Sequence, residues 1–218
     1  LHPEPDGLIA TRYTGPLRVR YVIPYSANNR ESSFADAFTL FCTEFTPDVF
    51  HLQHADETSF SCMQIAADLN IPAVASLHDH YAISPSINLL DAKGYYRGIP
   101  PDDEPCEHPI YKTHVEWRKH VHACLSEADA IIAPSSSALA LFEQVHGDVG
   151  GKHIVIEHGE DLSSTIDAPA QVNRQVICFV GSAHDIRKGR SFILKLAPIL
   201  LRQNYELVFV GSHAEKWP

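Results

Sequence analysis

The chain has 218 residues, with 17 Lys and Arg against 27 Asp and Glu and a formal net charge of −10 with histidine neutral. That length fits one large domain or one and a half ordinary ones, and an apolar fraction of 44% suffices to bury a core. The acidic balance argues against a general nucleic-acid surface, which needs clustered Lys and Arg, and no apolar run approaches the ~18 residues of a membrane-spanning helix.

The opening LHPEPDG has neither an initiator Met nor a signal-peptide core, so the chain is read as a fragment of a longer protein. Leu17–Ile23 alternates apolar and basic residues, which predicts a half-exposed strand stopped by Pro24. Phe34–Phe45 carries apolar residues at helical spacing and ends at Pro47. Asp48–Leu52 reads as a short buried strand, Cys62–Leu69 as a helical stripe, and Ala73–Leu77 as a strand. Ser84–Pro109 is a long polar loop rich in Pro, Gly and Asp, and loops of that length are usually functional or mobile. Tyr111–Ala128 is amphipathic, Asp129–Ala133 is a strand, and Ser135–Ser137 can cap a helix carrying Leu139, Leu141, Phe142 and Val145. Gly150 and Gly151 punctuate before a strand at Ile154–Ile156 and the turn HGED. Ser163–Arg174 reads as a linker. A last unit follows: strand Val176–Val180, a Gly-bounded loop, helix Ser191–Arg202 and strand Glu206–Val210. No repeat with a period of roughly 20–50 residues is visible.

Strands alternating with helices predict an α/β protein with a Rossmann-like parallel sheet flanked by helices. The boundary is set near residue 168, giving an N-terminal domain over 1–168, and a linker with a single βαβ unit over 169–218. One βαβ is too small to be stable alone. The five cysteines are odd in number, widely spaced and without CxxC, so no disulfide framework is expected. Cys62 and Cys178 lie in apolar patterns and read as core residues. A reducing compartment, the cytoplasm, is the simplest inference.

Three constellations carry chemistry. The first is His78, Asp79 and His80, an ionisable cluster where a strand runs out into a loop. Ligands of open parallel sheets bind beyond the carboxyl ends of strands, and histidine donates or accepts near neutral pH; a histidine merely packed at a strand end is the rival reading. The second is Gly181-Ser-Ala-His-Asp-Ile-Arg-Lys-Gly189, a strand-to-helix turn. Backbone N–H groups at a helix start, with Arg187 and Lys188 beside them, suit an anion, although the spacing is neither GxGxxG nor a Walker loop. The third is a candidate metal cluster of Cys106, His108, His114, His120, His122 and Cys124, in which His120 and Cys124 lie four apart on a helix and could share a metal, while His114 and His122 need not face the same way. A solvated histidine-rich face is favoured, and no metal is assigned. Glu160 and Asp161 are adjacent and diverge, and no G-x-S-x-G elbow is present.

Taken in order, the phrases PDVFHLQH (47–54), IPAVASLHDHYAISPSINLLDAKGYYRG (71–98), ADAIIAPSSSALALF (128–142), IVIEHGED (154–161) and ICFVGSAHDIRKG (177–189) resemble glycosyltransferase family 4, whose GT-B fold sets two Rossmann-like domains face to face. The likeness covers roughly residues 40–212. The stretch HDHYAISPSINLLDAKG is most similar to polysaccharide-assembly members carrying HDY-x-x-CPR-x-NL-x-D.

The resemblance implies a metal-independent, retaining transfer from a nucleotide-sugar donor to a glycan or lipid-linked acceptor, with no cofactor. By the same resemblance His78, with Asp79, contacts the transferred sugar. Gly181, Ser182, Arg187, Lys188 and Gly189 hold the donor diphosphate, Asn88 and His80 line the acceptor side of the cleft, and HGED is the crossover between domains. Ser182 stands where the family has a phosphate-binding Arg, and Ser84 and Ser86 where close relatives have Cys and Arg. The family's first strand–helix–strand would precede residue 1, and its E-x7-E segment would follow Pro218. The fragment is therefore expected to be inactive alone. Its terminal βαβ either starts the donor domain or packs into the vacated place in the main sheet. Exposed strand edges would favour a strand-exchanged dimer, and the whole protein is open to peripheral membrane association. A sugar-nucleotide 2-epimerase of the same architecture and a non-catalytic sugar- or nucleotide-binding module are the rival functions.

Overall fold

The computed structural model describes residues 2–4, 7–14, 17–23, 30–55, 60–91, 94–106, 108–159, 175–182 and 188–211. It divides into two compact units, one of 1–89 with 97–158 and one of 90–96 with 159–218. The first unit opens with three antiparallel strands, β1 (His2–Glu4), β2 (Gly7–Thr14) and β3 (Leu17–Ile23), in the order β1-β2-β3. β3 is the strand expected from its alternation. It pairs antiparallel with β2, Thr14 opposite Leu17 and Leu8 opposite Ile23, and does not join a parallel sheet. β2 gives no strand signal of its own, because GLIATRYT is rich in β-prone residues but has no clean period of two.

Helix α1 (Arg30–Phe45) ends at Thr46, whose φ is 40°, just before Pro47. Beyond it lie β4 (Phe50–Leu52), α2 (Ser61–Asp68), β5 (Ala73–Ser76), α3 (His114–Leu125), β6 (Ala130–Ala133), α4 (Ser136–His146) and β7 (Lys152–Val155). The four strands form one parallel sheet in sequence order, β4-β5-β6-β7, flanked by helices.

Each element follows from local chemistry. Ser135 accepts the Ala138 N–H at 3.2 Å and starts α4. Thr113 and Glu116 form a reciprocal capping box that starts α3. The strands alternate in burial: Ala73, Ala75, Ile131 and Ala133 face the helices, and three of these four are alanines, which lets the helices approach closely. Trp117, Val121, Leu125, Met63 and Phe142 fill the layer, all at most 1% exposed. Gly151 is where β7 begins against Asp129; a Cβ there would lie 1.9 Å from the Asp129 carbonyl oxygen.

The second unit contains β8 (Val176–Val180), α5 (Arg190–Arg202) and β9 (Glu206–Val210), with the strands parallel. β8 and β9 make a two-stranded sheet of their own. The terminal βαβ therefore does not fill a place in the main sheet. Cys178 is exposed and is not a core residue, because one helix covers only one face of such a sheet. The expected linker, 163–174, lies outside the described residues.

Candidate functional site

β5 delivers His78 to the carboxyl end of the parallel sheet. His78 Nε2 lies 3.1 Å from Gln53 Oε1, at the end of neighbouring β4. An amide oxygen only accepts, so Nε2 carries the proton in the neutral ring and Nδ1 keeps its lone pair. The same Gln53 donates from Nε2 to His51 Nδ1 at 2.9 Å, and His51 Nε2 reaches Ser76 Oγ at 2.9 Å. The other face of His78 stacks on His158, with ring centroids 5.4 Å apart and planes 6° from parallel. Four side chains thus orient one imidazole: Gln53 directly, His51 and Ser76 through Gln53, and His158 by stacking.

Asp79 serves the turn. Its Oδ1 accepts the Tyr81 N–H at 2.8 Å and its Oδ2 lies 3.4 Å from His54 Nε2. Such an Asx turn fixes the chain direction just past the strand. His80 contributes its backbone N–H to the Ile87 carbonyl at 3.1 Å. Asn88 sits between Ile87 and Leu89, which both adopt left-handed φ, 66° and 52°.

The segment that follows is held from below. Trp117 Nε1 donates to Tyr81 O at 2.8 Å, His146 Nε2 to Ala82 O at 2.9 Å and Arg118 Nε to Ile83 O at 3.0 Å, while Ser84 Oγ lies 3.1 Å from His114 Nε2. Four consecutive residues after the His78 turn are each gripped by a side chain of α3 or α4. Buried peptide groups need such partners. Burial pushes the His146 pKa down to about 4, with the charges of His122 and Arg118 adding to the effect.

The second unit holds the other predicted cluster. Gly181 donates its N–H to Val210 O at 2.8 Å, and a Cβ on it would come within 3.1 Å of the Lys188 side chain, so the lysine stem lies over the glycine. Gly189 caps α5 with φ 71°, and Ser182 follows Gly181 half-buried. Lys188, exposed, thus stands at a helix start beside a strand end, the setting that favours an anion. Arg187 lies outside the described residues.

The candidate metal residues disperse. Cys106 Sγ donates to Tyr111 O, His108 Nδ1 accepts the N–H groups of Ile110 and Tyr111, and His114 serves Ser84 and Glu104. Cys124 and His120 lie 3.8 Å apart at closest, yet among the described residues no three His, Cys, Asp or Glu side chains come together to hold a metal. Also among them, no helix is long and apolar enough to cross a membrane.

The model for Glycosyltransferase Family 4 matches residues 1–164, three quarters of the chain. The chain belongs to that family. No curated protein matches it. Among solved structures it is similar to a UDP-glucose:anthocyanidin 3-O-glucosyltransferase crystallised with UDP, at 15% identity and a TM-score of 0.38. The match covers 69% of this chain and 40% of that one, and a likeness this slight carries no weight. Around the His78 turn, sequence reasoning missed Gln53, His51, His54 and His158. The signal was available for the first two: His51 and Gln53 are two apart, both polar and exposed, where a buried strand ends.

Proposed function

We propose that the whole protein transfers a glycosyl group from a nucleotide-diphosphate sugar to a glycan or lipid-linked acceptor, with retention of configuration, in surface-polysaccharide or glycoconjugate assembly. The family match over residues 1–164 carries this reading. His78 is assigned to the transferred sugar. With its Nε2 proton engaged by Gln53 Oε1, its free Nδ1 lone pair suits a sugar hydroxyl, which can donate to it. Lys188, the α5 N-terminus and Arg187 are assigned to the diphosphate. As the glycosidic bond breaks, the departing nucleoside diphosphate gains negative charge, and a cation at a helix start stabilises that charge more in the transition state than before it. Residues 1–168 supply the acceptor side and 169–218 begin the donor side. His80 and Asn88 are assigned to the acceptor wall, and the reaction is assigned to the cytoplasm.

Incubation of the whole protein with a panel of nucleotide sugars tests the assignment. Glycosylated product, or donor hydrolysis without acceptor, is the expected result. Epimerised donor, or binding without any turnover, would replace it with one of the rival functions.

A further inference from the structure

His114 and Arg118 stand one turn apart on α3, and both are buried, at 4% and 8% exposed. Each divides its polar atoms between the two ends of the long loop after β5. On the outgoing side Arg118 Nε donates to Ile83 O at 3.0 Å; on the returning side Nη2 donates to Pro100 O at 2.8 Å and Nη1 to Asp102 Oδ1 at 2.5 Å. His114 repeats the pattern, with Nε2 3.1 Å from Ser84 Oγ and Nδ1 3.0 Å from Glu104 O. A carbonyl only accepts, so Nδ1 carries the proton, and in the neutral ring Nε2 accepts the Ser84 hydroxyl. Burial pushes the His114 pKa down, which favours that neutral ring. The backbone adds His114 N–H to Glu104 O at 3.1 Å and Val115 N–H to Asp102 O at 2.9 Å.

A buried guanidinium is costly unless fully partnered, and an ordinary surface loop needs none. Between the pinned ends lies a second departure from the ordinary. Ile87, a β-branched residue, has φ 66°, and Leu89, fully buried, has φ 52°. Such conformations persist only where the surroundings over-determine them. Ile87 also links the pinned neck to the candidate site: its N–H donates to Ser84 O at 2.9 Å and its carbonyl accepts the His80 N–H at 3.1 Å.

We propose that His114 and Arg118 are positioning residues that staple the neck of the 84–104 excursion. Through the strained turn at Ile87 they hold the His78–Asp79–His80 turn in place. The acceptor-side wall is thereby assembled before substrate arrives and does not close as a lid. The link to turnover rests on the assignment of His78 to the sugar; the staple itself is a property of this chain alone.

Two measurements on the 218-residue chain test the staple: long-range ¹H–¹⁵N spectra of its histidines, and amide exchange across residues 80–89. His114 is expected to show the Nδ1–H pattern. In the wild type, the amides of Ile83, Ser84 and Ile87 should exchange as slowly as those of α3. Arg118→Met and His114→Leu should speed these amides about tenfold or more while α4 and β6 stay within about twofold. His114→Asn, which can still donate to Glu104 O, should recover part of the protection. An Nε2–H pattern at His114, wild-type amides that exchange like an open loop, or an acceleration spread evenly over α4 and β6 would overturn the staple. The first two results need no variant, so a misfolded Arg118→Met leaves the test intact. In the whole protein, Arg118→Met should lower kcat about tenfold with donor KM within about twofold. Faster exchange with unchanged kcat would overturn the positioning role, whereas the sugar assignment stands or falls separately on His78→Ala.

Discussion

His146 gives a quantitative test of how the loop is held. It ends α4, is 6% exposed, and donates Nε2–H to Ala82 O at 2.9 Å. Its pKa falls from an ordinary 6.5 to about 4, chiefly because burial penalises the charged ring. As pH drops below 6.5 the unfolded chain takes up this proton and the folded chain resists it until about pH 4. The unfolded state therefore binds more protons in that window, and stability is lost as pH falls from 6.5 to about 4, with no contribution above it. A gap of about 2.5 units corresponds to about 3 kcal/mol. His146→Gln keeps an N–H able to reach Ala82 O but cannot titrate. Urea unfolding from pH 7 to pH 4, in a Trp217→Phe background so that only the buried Trp117 reports, should show the variant gaining about 3 kcal/mol on the wild type over that range. Two curves that stay parallel to within about 0.5 kcal/mol would refute the reasoning, since nothing else differs between them.

Three further outcomes follow from single residues. Thr113→Ala removes one half of the capping box on α3 and should lower unfolding free energy by about 1 kcal/mol in urea titration. Gly151→Ala sets a Cβ 1.9 Å from the Asp129 carbonyl and should cost about 3 kcal/mol or prevent soluble expression, whereas Gly159→Ala, with nothing within 4 Å, should be close to neutral. His153 behaves oppositely to His146: burial, the largest single influence, would lower its pKa, but the Glu143 carboxylate 2.8 Å away, the Val149 carbonyl and the Asp148 charge together outweigh burial and raise it. Its contribution is present below the ordinary value and lost as pH rises through the raised one, so His153→Gln should destabilise more at pH 5.5 than at pH 8.5.

Most parallel strands of both sheets were legible because short apolar runs bounded by Pro, Gly and Ser leave few alternatives. Ala73–Leu77, Asp129–Ala133, Val176–Val180 and Glu206–Val210 were placed within a residue of the observed strands. β2 was not legible, because its identity depends on pairing with β3 and not on its own period. The candidate site was half legible. His78 announced itself as an ionisable group at a strand end. Gln53 and His158 did not, since they lie 25 residues before and 80 after it in sequence, and only the parallel packing of β4 beside β5 and the exit of β7 bring them together. The histidine-rich stretch over 106–124 invited a metal reading; in the fold His114 turns instead to Ser84 and Glu104. Composition shows that such residues are present, but tertiary contacts decide what they bind.

The proposed function assigns His78 to the transferred sugar and Lys188 to the donor diphosphate. The most direct measurement is the rate of product formation by the whole protein, wild type against His78→Ala and Lys188→Ala, with circular dichroism confirming that all three fold. Each substitution is expected to lower kcat/KM about 100-fold or more. Wild-type rates in both folded variants would contradict the assignment.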